Sequence, residues 1–291
     1  MTTPVVGVHG INCYRYYQDA GTQEGAASLM AADWTAALTE GAGLPPQATT
    51  DRLAVAYYSD LLRKRVTPQG TDDLKWLTEP EQSVLTNLLR DLGAPPQVAQ
   101  GPATVPFRQL GQWLAKRLPR VGTGTVAVFC QEVQAYLGSP DSAPRQAVRA
   151  AVAAAIADHR PSAIVAHSLG TVVAYETLWE YPDLEVDLLL TLGSPLGMPS
   201  VVQSRLIPPL NQATGRGARP PGVKVWVNVA DKGDLVASPV SLEKTFDGVT
   251  QLPDITIAKL GFHAATGYLR HPEVAAAIAP YLELPGTSDP G

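Results

Sequence analysis

Five short apolar segments recur along the chain, most of them followed by residues at helical spacing, and this alternation is what most limits the fold. The segments are 4–9 (PVVGVH), 52–58 (RLAVAYY), 162–167 (SAIVAH), 186–193 (VDLLLTLG) and 223–230 (VKVWVNVA). Strands with few polar positions have no face to give to water, so both faces must be covered. A parallel sheet between two layers of helix satisfies that demand. Helices are expected at 23–40, closed by Gly41, at 144–159, with Val148, Val152, Ala155 and Ile156 on one face, at 169–181, and at about 273–283. A further short strand is expected at 254–258 (DITIA). The predicted class is α/β: a mostly parallel sheet with helices on both faces.

Residues 60–143 break the alternation, because no convincing buried strand occurs there. Thr78 and Glu81 have the spacing of a capping box, with Pro80 in the first turn. Val84, Leu85, Leu88, Leu89 and Leu92 then share a face, and Gly93 ends the run. Phe107, Leu110, Leu114 and Leu118 mark a second helix, stopped by Pro119. Residues 125–137 fit either a helix or, over TVAVF, a strand; the spacing of Val126, Phe129, Cys130, Val133 and Leu137 favours the helix. The expected division is a core of 1–59 and 144–285, a helical cap or insertion at 60–143, and a disordered tail at 286–291.

Composition narrows the function classes. The chain of 291 residues is 45% hydrophobic and 17% charged, which fits a folded protein. Its net charge is −5 and it has no basic run, so it offers nucleic acid little electrostatic attraction and membranes no polybasic anchor. Cys13 and Cys130 lie far apart with no Cys/His metal spacing, so no metal site is expected. The start, MTTPVVGVHG, lacks the charged and apolar regions of a signal peptide, and no apolar run approaches the ~18 residues of a membrane span. A cytoplasmic location is expected.

The sharpest local signal is Ala166-His167-Ser168-Leu169-Gly170, which ends an apolar strand and opens a helix. A nucleophilic serine on such a turn needs small residues two before and two after it, so that strand and helix can approach. Ala166 and Gly170 meet that need. Read more plainly, Ser168 would only cap the helix. A second element, Val8-His9-Gly10-Ile11-Asn12, follows the first strand. Acyl transfer through a serine requires two backbone N–H groups aimed at the developing oxyanion. Leu169 is the expected donor after the nucleophile, and Ile11 is the expected donor from the early loop, with Asn12 next.

A carboxylate to orient the imidazole should come from a late strand end. Asp231 and Asp234 both qualify in DKGDLV; Asp234 is preferred, with the other closing the turn. The base should follow the acid in the chain, which leaves His263 and His271. His263, in a loop before the last helix, is preferred, since His271 abuts Pro272 and suits a helix boundary. His9 and His167 flank the oxyanion donors and are expected to shape their loops, and His159 is expected at the surface.

With these residues in place, the chain resembles the α/β-hydrolase superfamily, in particular bacterial lipases and esterases with an HGI oxyanion loop and an AHS-x-G elbow. It is also similar to the branch related to GPI-inositol deacylases, in which segments like Trp226-Val227-Asn228 and Leu192-Gly193-Ser194-Pro195 recur. Ala166 stands where glycine is commoner, and the helices of 60–143 match no motif of that family. The resemblance implies a serine hydrolase that cleaves an ester, thioester or similar acyl bond, with no cofactor, and does not specify the substrate. The Leu, Phe and Trp faces of the 60–143 helices suggest a small-molecule substrate with an apolar acyl chain. Two alternatives use the same fold: an acyltransferase with the same three side chains, and a catalytically silent binding protein.

Overall fold

The computed structural model describes residues 4–45, 49, 51–63, 73–102, 104–118, 121–234, 236–237, 241–257 and 263–282. Its strands are β1 (Val5–Val8), β2 (Leu53–Ala56), β3 (Ala163–His167), β4 (Val186–Leu192), β5 (Gly217–Ala218), β6 (Val223–Val229), β7 (Phe246–Asp247) and β8 (Val249–Gln251). Its α-helices are α1 (Tyr14–Ala20), α2 (Gln23–Ala42), α3 (Ser59–Leu62), α4 (Glu79–Asp91), α5 (Pro96–Ala99), α6 (Phe107–Arg117), α7 (Thr123–Leu137), α8 (Ala143–His159), α9 (Leu169–Glu180), α10 (Ala265–Leu269) and α11 (Pro272–Ile278). Six strands form one all-parallel sheet in the order β2-β1-β3-β4-β6-β8, and β5 and β7 pair separately.

Successive side chains along a strand point to opposite faces, and the two cores divide that way. Val5, Leu53, Val55, Ala163, Val165, Leu188 and Leu190 meet α2, α10 and α11 on one face. Val6, Val8, Ile164, Ala166, Leu189 and Trp226 meet α8, α9 and the helices of the 79–137 region on the other. The expected α/β architecture, with helices on both faces, is what the chain forms.

Two boundaries differ from expectation. Helix α2 runs through Gly41 and ends at Gly43, which takes the left-handed conformation at φ 63°. Gly41 serves close approach instead: a Cβ there would strike the backbone of Leu269 and Arg270. The sixth strand is β8, not 254–258. Ile255 and Ile257 are buried with strand-like alternation, but Ile255 makes only an isolated bridge to Asp231. The Ile257 amide goes to the Asp231 side chain, so no ladder forms. Residue 258 lies outside the described residues, as do Pro119 and the tail at 286–291.

Among the described residues, the 60–143 stretch holds helices and no strand. The capping box at Thr78 and Glu81 forms. Residues 125–137 are helical within α7, and Val126, Ala127, Val128, Phe129, Cys130, Val133, Tyr136 and Leu137 are all buried. Burial on every side explains why the sequence could be read two ways. This region is tied to the core by a buried cluster: Glu176 of α9 accepts from Arg145 of α8, Tyr136 of α7 and the Ile207 amide. No helix among the described residues is long and apolar enough to cross a membrane.

Candidate active site

The strand order reverses direction at β1, so the loops leaving β1 and β3 diverge and leave a crevice at their carboxyl ends. Val8 pairs with Ala166 in register, which sets His9-Gly10 beside His167-Ser168. Two glycines permit the contact. A Cβ on Gly10 would lie 2.6 Å from the Ser168 Cβ, and one on Gly170 would strike the carbonyls of Val8 and His9.

Ser168 sits between β3 and α9 at φ 52°, ψ −128°. A side chain in this sparsely populated region costs on the order of 1–3 kcal/mol and persists only where its surroundings impose it. Here they do. The Ser168 amide donates to the Leu192 carbonyl (3.0 Å), and its carbonyl accepts from the Thr171 amide (2.9 Å) and hydroxyl (2.8 Å). Ser194 donates to Thr171 Oγ1 (2.7 Å) and accepts from the Leu196 amide (3.3 Å). Ser194 of the Leu-Gly-Ser-Pro segment therefore braces the turn that carries Ser168.

Ser168 Oγ lies 2.9 Å from His263 Nε2, and His263 Nδ1 lies 2.5 Å from Asp234 Oδ2. With Asp234 ionised, Nδ1 carries the proton and Nε2 accepts from the serine, a tautomer assigned from the network. Asp234 is fully buried. Its Oδ1 accepts from the amides of Val236 (3.1 Å) and Ala237 (3.3 Å), and its Oδ2 also accepts from Tyr268 Oη (2.8 Å). Burial alone would raise the Asp234 pKa; the neighbouring His263, with bonds from His263 and Tyr268, outweighs it and holds the carboxyl below its ordinary value. Burial likewise lowers His263, and the Asp234 carboxylate outweighs it, leaving the imidazole raised.

Asp231 does different work. Its Oδ2 accepts from the Gly233 amide (3.0 Å) and its Oδ1 from the Ile257 amide (2.7 Å), closing its own turn and pinning the segment after β8. Its amide donates to Tyr268 Oη (3.1 Å), which links both aspartates through one phenol. Gly193, at φ 56°, leaves room for this group: a Cβ there would lie 3.0 Å from both Asp234 Oδ2 and Tyr268 Oη. His271 caps α11, accepting from the Glu273 amide at 3.4 Å, and His159 is the last residue of α8.

Trp226 and Asn228 belong to a strap across the sheet rather than to the crevice. Trp226 Nε1 donates to Thr191 Oγ1 (3.1 Å), Thr191 donates to Asn228 Oδ1 (2.7 Å), and Asn228 Nδ2 donates to Gln251 Oε1 (2.9 Å).

His9 is buried, its ring stacked on Tyr58 at 4.0 Å. Its Nδ1–H donates to the Gly10 carbonyl (2.8 Å), and its Nε2 accepts from the Tyr58 amide (3.0 Å). Burial pushes its pKa down to about 4, against the opposing pull of the Gly10 bond, so it stays neutral at pH 7. His167 is pushed down to about 3, by burial first and then by His263, whose ring lies 5.1 Å away.

A cleft of about 1020 Å³ opens over these groups. His9, Gly10, Ile11, His167 and His263 form its floor, and Leu88, Leu118, Val121, Val126 and Phe129 form an apolar wall. Ser168 itself is 0% exposed and the His263 side chain 15%, so the hydroxyl lies beneath the floor.

The crevice thus brings together Ser168, His263 and Asp234, with Ile11 and Leu169 on the two loops beside them. It leaves His271 and Asp231 in supporting places. Two further residues gave no local sequence signal. Tyr268 lies in a short helix with no motif around it. Glu132 is the one acidic residue of α7, and its Oε2 accepts from the Asn12 amide (3.1 Å). No group of three or more His, Cys, Asp or Glu that could hold a metal occurs among the described residues. Compared with protein families, with curated proteins and with solved structures, the chain matches none of them.

Proposed function

We propose that this protein is a serine hydrolase of the α/β-hydrolase type, cleaving an ester or thioester of an apolar acyl substrate. The observation that carries the reading is the unbroken relay from Ser168 Oγ through His263 to Asp234. It lies at the carboxyl ends of parallel strands, on a serine held at positive φ.

The chemistry follows from the proton positions. As Ser168 Oγ attacks the acyl carbon, its proton passes to His263 Nε2, and Asp234 stabilises the imidazolium. The carbonyl oxygen takes up the negative charge and is held by the amides of Leu169 and Ile11. Leu169 opens α9, and the first amides of a helix have no partner within it. The tetrahedral species collapses, the leaving group departs with the proton from His263, and water then releases the acyl group by the same steps. The helical region of 60–143 acts as a cap, with its apolar wall taking the acyl chain.

A fluorophosphonate and an ester panel graded by acyl length test this. The expected result is one adduct, on Ser168, and turnover that rises with acyl length. A folded protein that takes no label at Ser168 overturns the reading and leaves a binding protein with a hydrolase-like crevice.

A further inference from the structure

The loop after β1 is gripped from two directions. On one side, His9 Nδ1–H holds the Gly10 carbonyl at 2.8 Å. In a trans peptide the N–H points opposite to the C=O, so this bond directs the Ile11 N–H away from the His9 ring. On the other side, Glu132 Oε2 holds the Asn12 N–H at 3.1 Å, which fixes the next peptide plane. Asn12 has φ 61°, in the left-handed region that Asn tolerates better than most side-chain-bearing residues.

Glu132 is costly to keep where it is. It is 2% exposed, and its Oε1 is buried with no hydrogen-bond partner among the described residues. A half-satisfied buried carboxyl destabilises a helix that could carry an apolar residue at that position. Val128, Phe129, Val133 and Tyr136, its neighbours on α7, are all buried. Against the cost of burial, Arg63 favours the charged form of Glu132. Among the described residues its hydrogen bond goes to Asn12, and that bond fixes the geometry of the Ile11 amide.

We propose that Glu132 is a positioning residue: reaching from the helical cap to the loop after β1, it sets the Ile11 amide as an oxyanion donor. The proposal rests on the serine-hydrolase reading and extends it by making one oxyanion donor depend on the cap. Losing an oxyanion donor costs about 10²–10³ in kcat, and a donor merely loosened should cost on the order of 10-fold or more.

The test compares Glu132→Leu, which removes the acceptor, Glu132→Asp, which withdraws it by one methylene, and Glu132→Gln, which keeps an acceptor oxygen without the charge. Each is assayed with a short-chain nitrophenyl ester and with an alkyl boronic acid, whose serine adduct places an oxygen at the oxyanion position. The expected result is a fall in kcat with little change in KM for Leu and Asp, boronate affinity falling in parallel, and recovery in Gln. Full kcat in whichever of Leu or Asp folds overturns the proposal, and so does a Gln variant as impaired as Leu. Failure of both Leu and Asp to fold makes Glu132 a stability residue and overturns it equally. If the wild-type protein takes no fluorophosphonate, the underlying reading has failed instead.

Discussion

Two kinds of packing bound the cleft: a strand-end wall, made of its floor and the groups beneath the floor, and a helical wall. On the strand-end wall, backbone meets backbone or side chain at places with no room for a Cβ: Gly10 against Ser168, Gly170 against the Val8 and His9 carbonyls, Gly193 against Asp234 and Tyr268. On the helical wall, apolar side chains such as Leu88, Val126 and Phe129 pack on one another. A missing Cβ is an all-or-none condition, whereas apolar packing tolerates exchanges that conserve volume. The comparison teaches a division of labour. On the proposed function, the groups that would hold reacting atoms sit on the first wall, and shape toward a substrate is left to the second. On the proposed mechanism, changes on the first wall should therefore act on kcat and changes to the apolar side chains of the second on KM. Glu132, which reaches from α7 to the loop after β1, should act on kcat with the first.

Ser168→Ala should give the largest effect, a loss on the order of 10⁴–10⁶-fold in kcat, with fluorophosphonate labelling abolished and circular dichroism unchanged. Asp234→Asn comes next, at about 10⁴-fold. Asp231→Asn sharpens the contrast within one loop. It disturbs bonds to Gly233 and Ile257 and should cost about 1–3 kcal/mol of stability, read as a lower Tm, with turnover largely kept. If Asp231→Asn is the more damaging to turnover at equal folding, the acid is three residues earlier than assigned.

The pH profile probes the same wall. Turnover needs His263 neutral, and Asp234 raises its pKa above the ordinary 6.5, so kcat/KM should fall as pH drops through a midpoint above 6.5. The stability contribution runs the other way. A raised imidazole stabilises the fold below its unfolded pKa and loses that contribution as pH rises through the folded value. In Asp234→Asn the raising partner is gone, so whatever activity remains should titrate at lower pH; an unchanged midpoint breaks the assignment. Tyr268→Phe removes one donor to Asp234 and should lower kcat by about 10–100-fold at most, since a hydrogen bond to a charged group is worth about 1.5–3 kcal/mol and each ~1.4 kcal/mol is tenfold. The smallest effect belongs to the helical wall. Val121→Ala should raise KM for long acyl chains by roughly 10-fold or less and leave acetyl esters unaffected. A large kcat loss there would erase the distinction between the walls.

The strand-end wall was legible because its demands are local. Ala166 and Gly170 flank Ser168 in five consecutive residues, and Gly10 follows the first apolar strand directly. The choice between Asp231 and Asp234 was half legible: their positions marked an acid loop, both are buried, and the one that meets His263 is Asp234, through contacts with His263 and Tyr268 that lie 29 and 34 residues later in the chain. Tyr268 and Glu132 were not legible at all. Each acts through a contact across a long sequence separation, 34 residues from Tyr268 to Asp234 and 120 from Glu132 to Asn12. Residues 254–257 misled for a plain reason: apolar alternation reports which side chains are buried, and Ile255 and Ile257 are buried beside a side-chain carboxylate rather than in a ladder.

The register of Val8 with Ala166 has a consequence for how the chain can change length. One residue inserted into β1 or β3 would turn the following side chains to the opposite face and carry Gly10 away from Ser168. Residues gained or lost between β2 and α8 do neither, provided α7 keeps its place against Asn12. The helical wall can therefore be lengthened, shortened or replaced in one continuous piece of sequence, while the spacing of Gly10 and Ser168 stays as it is.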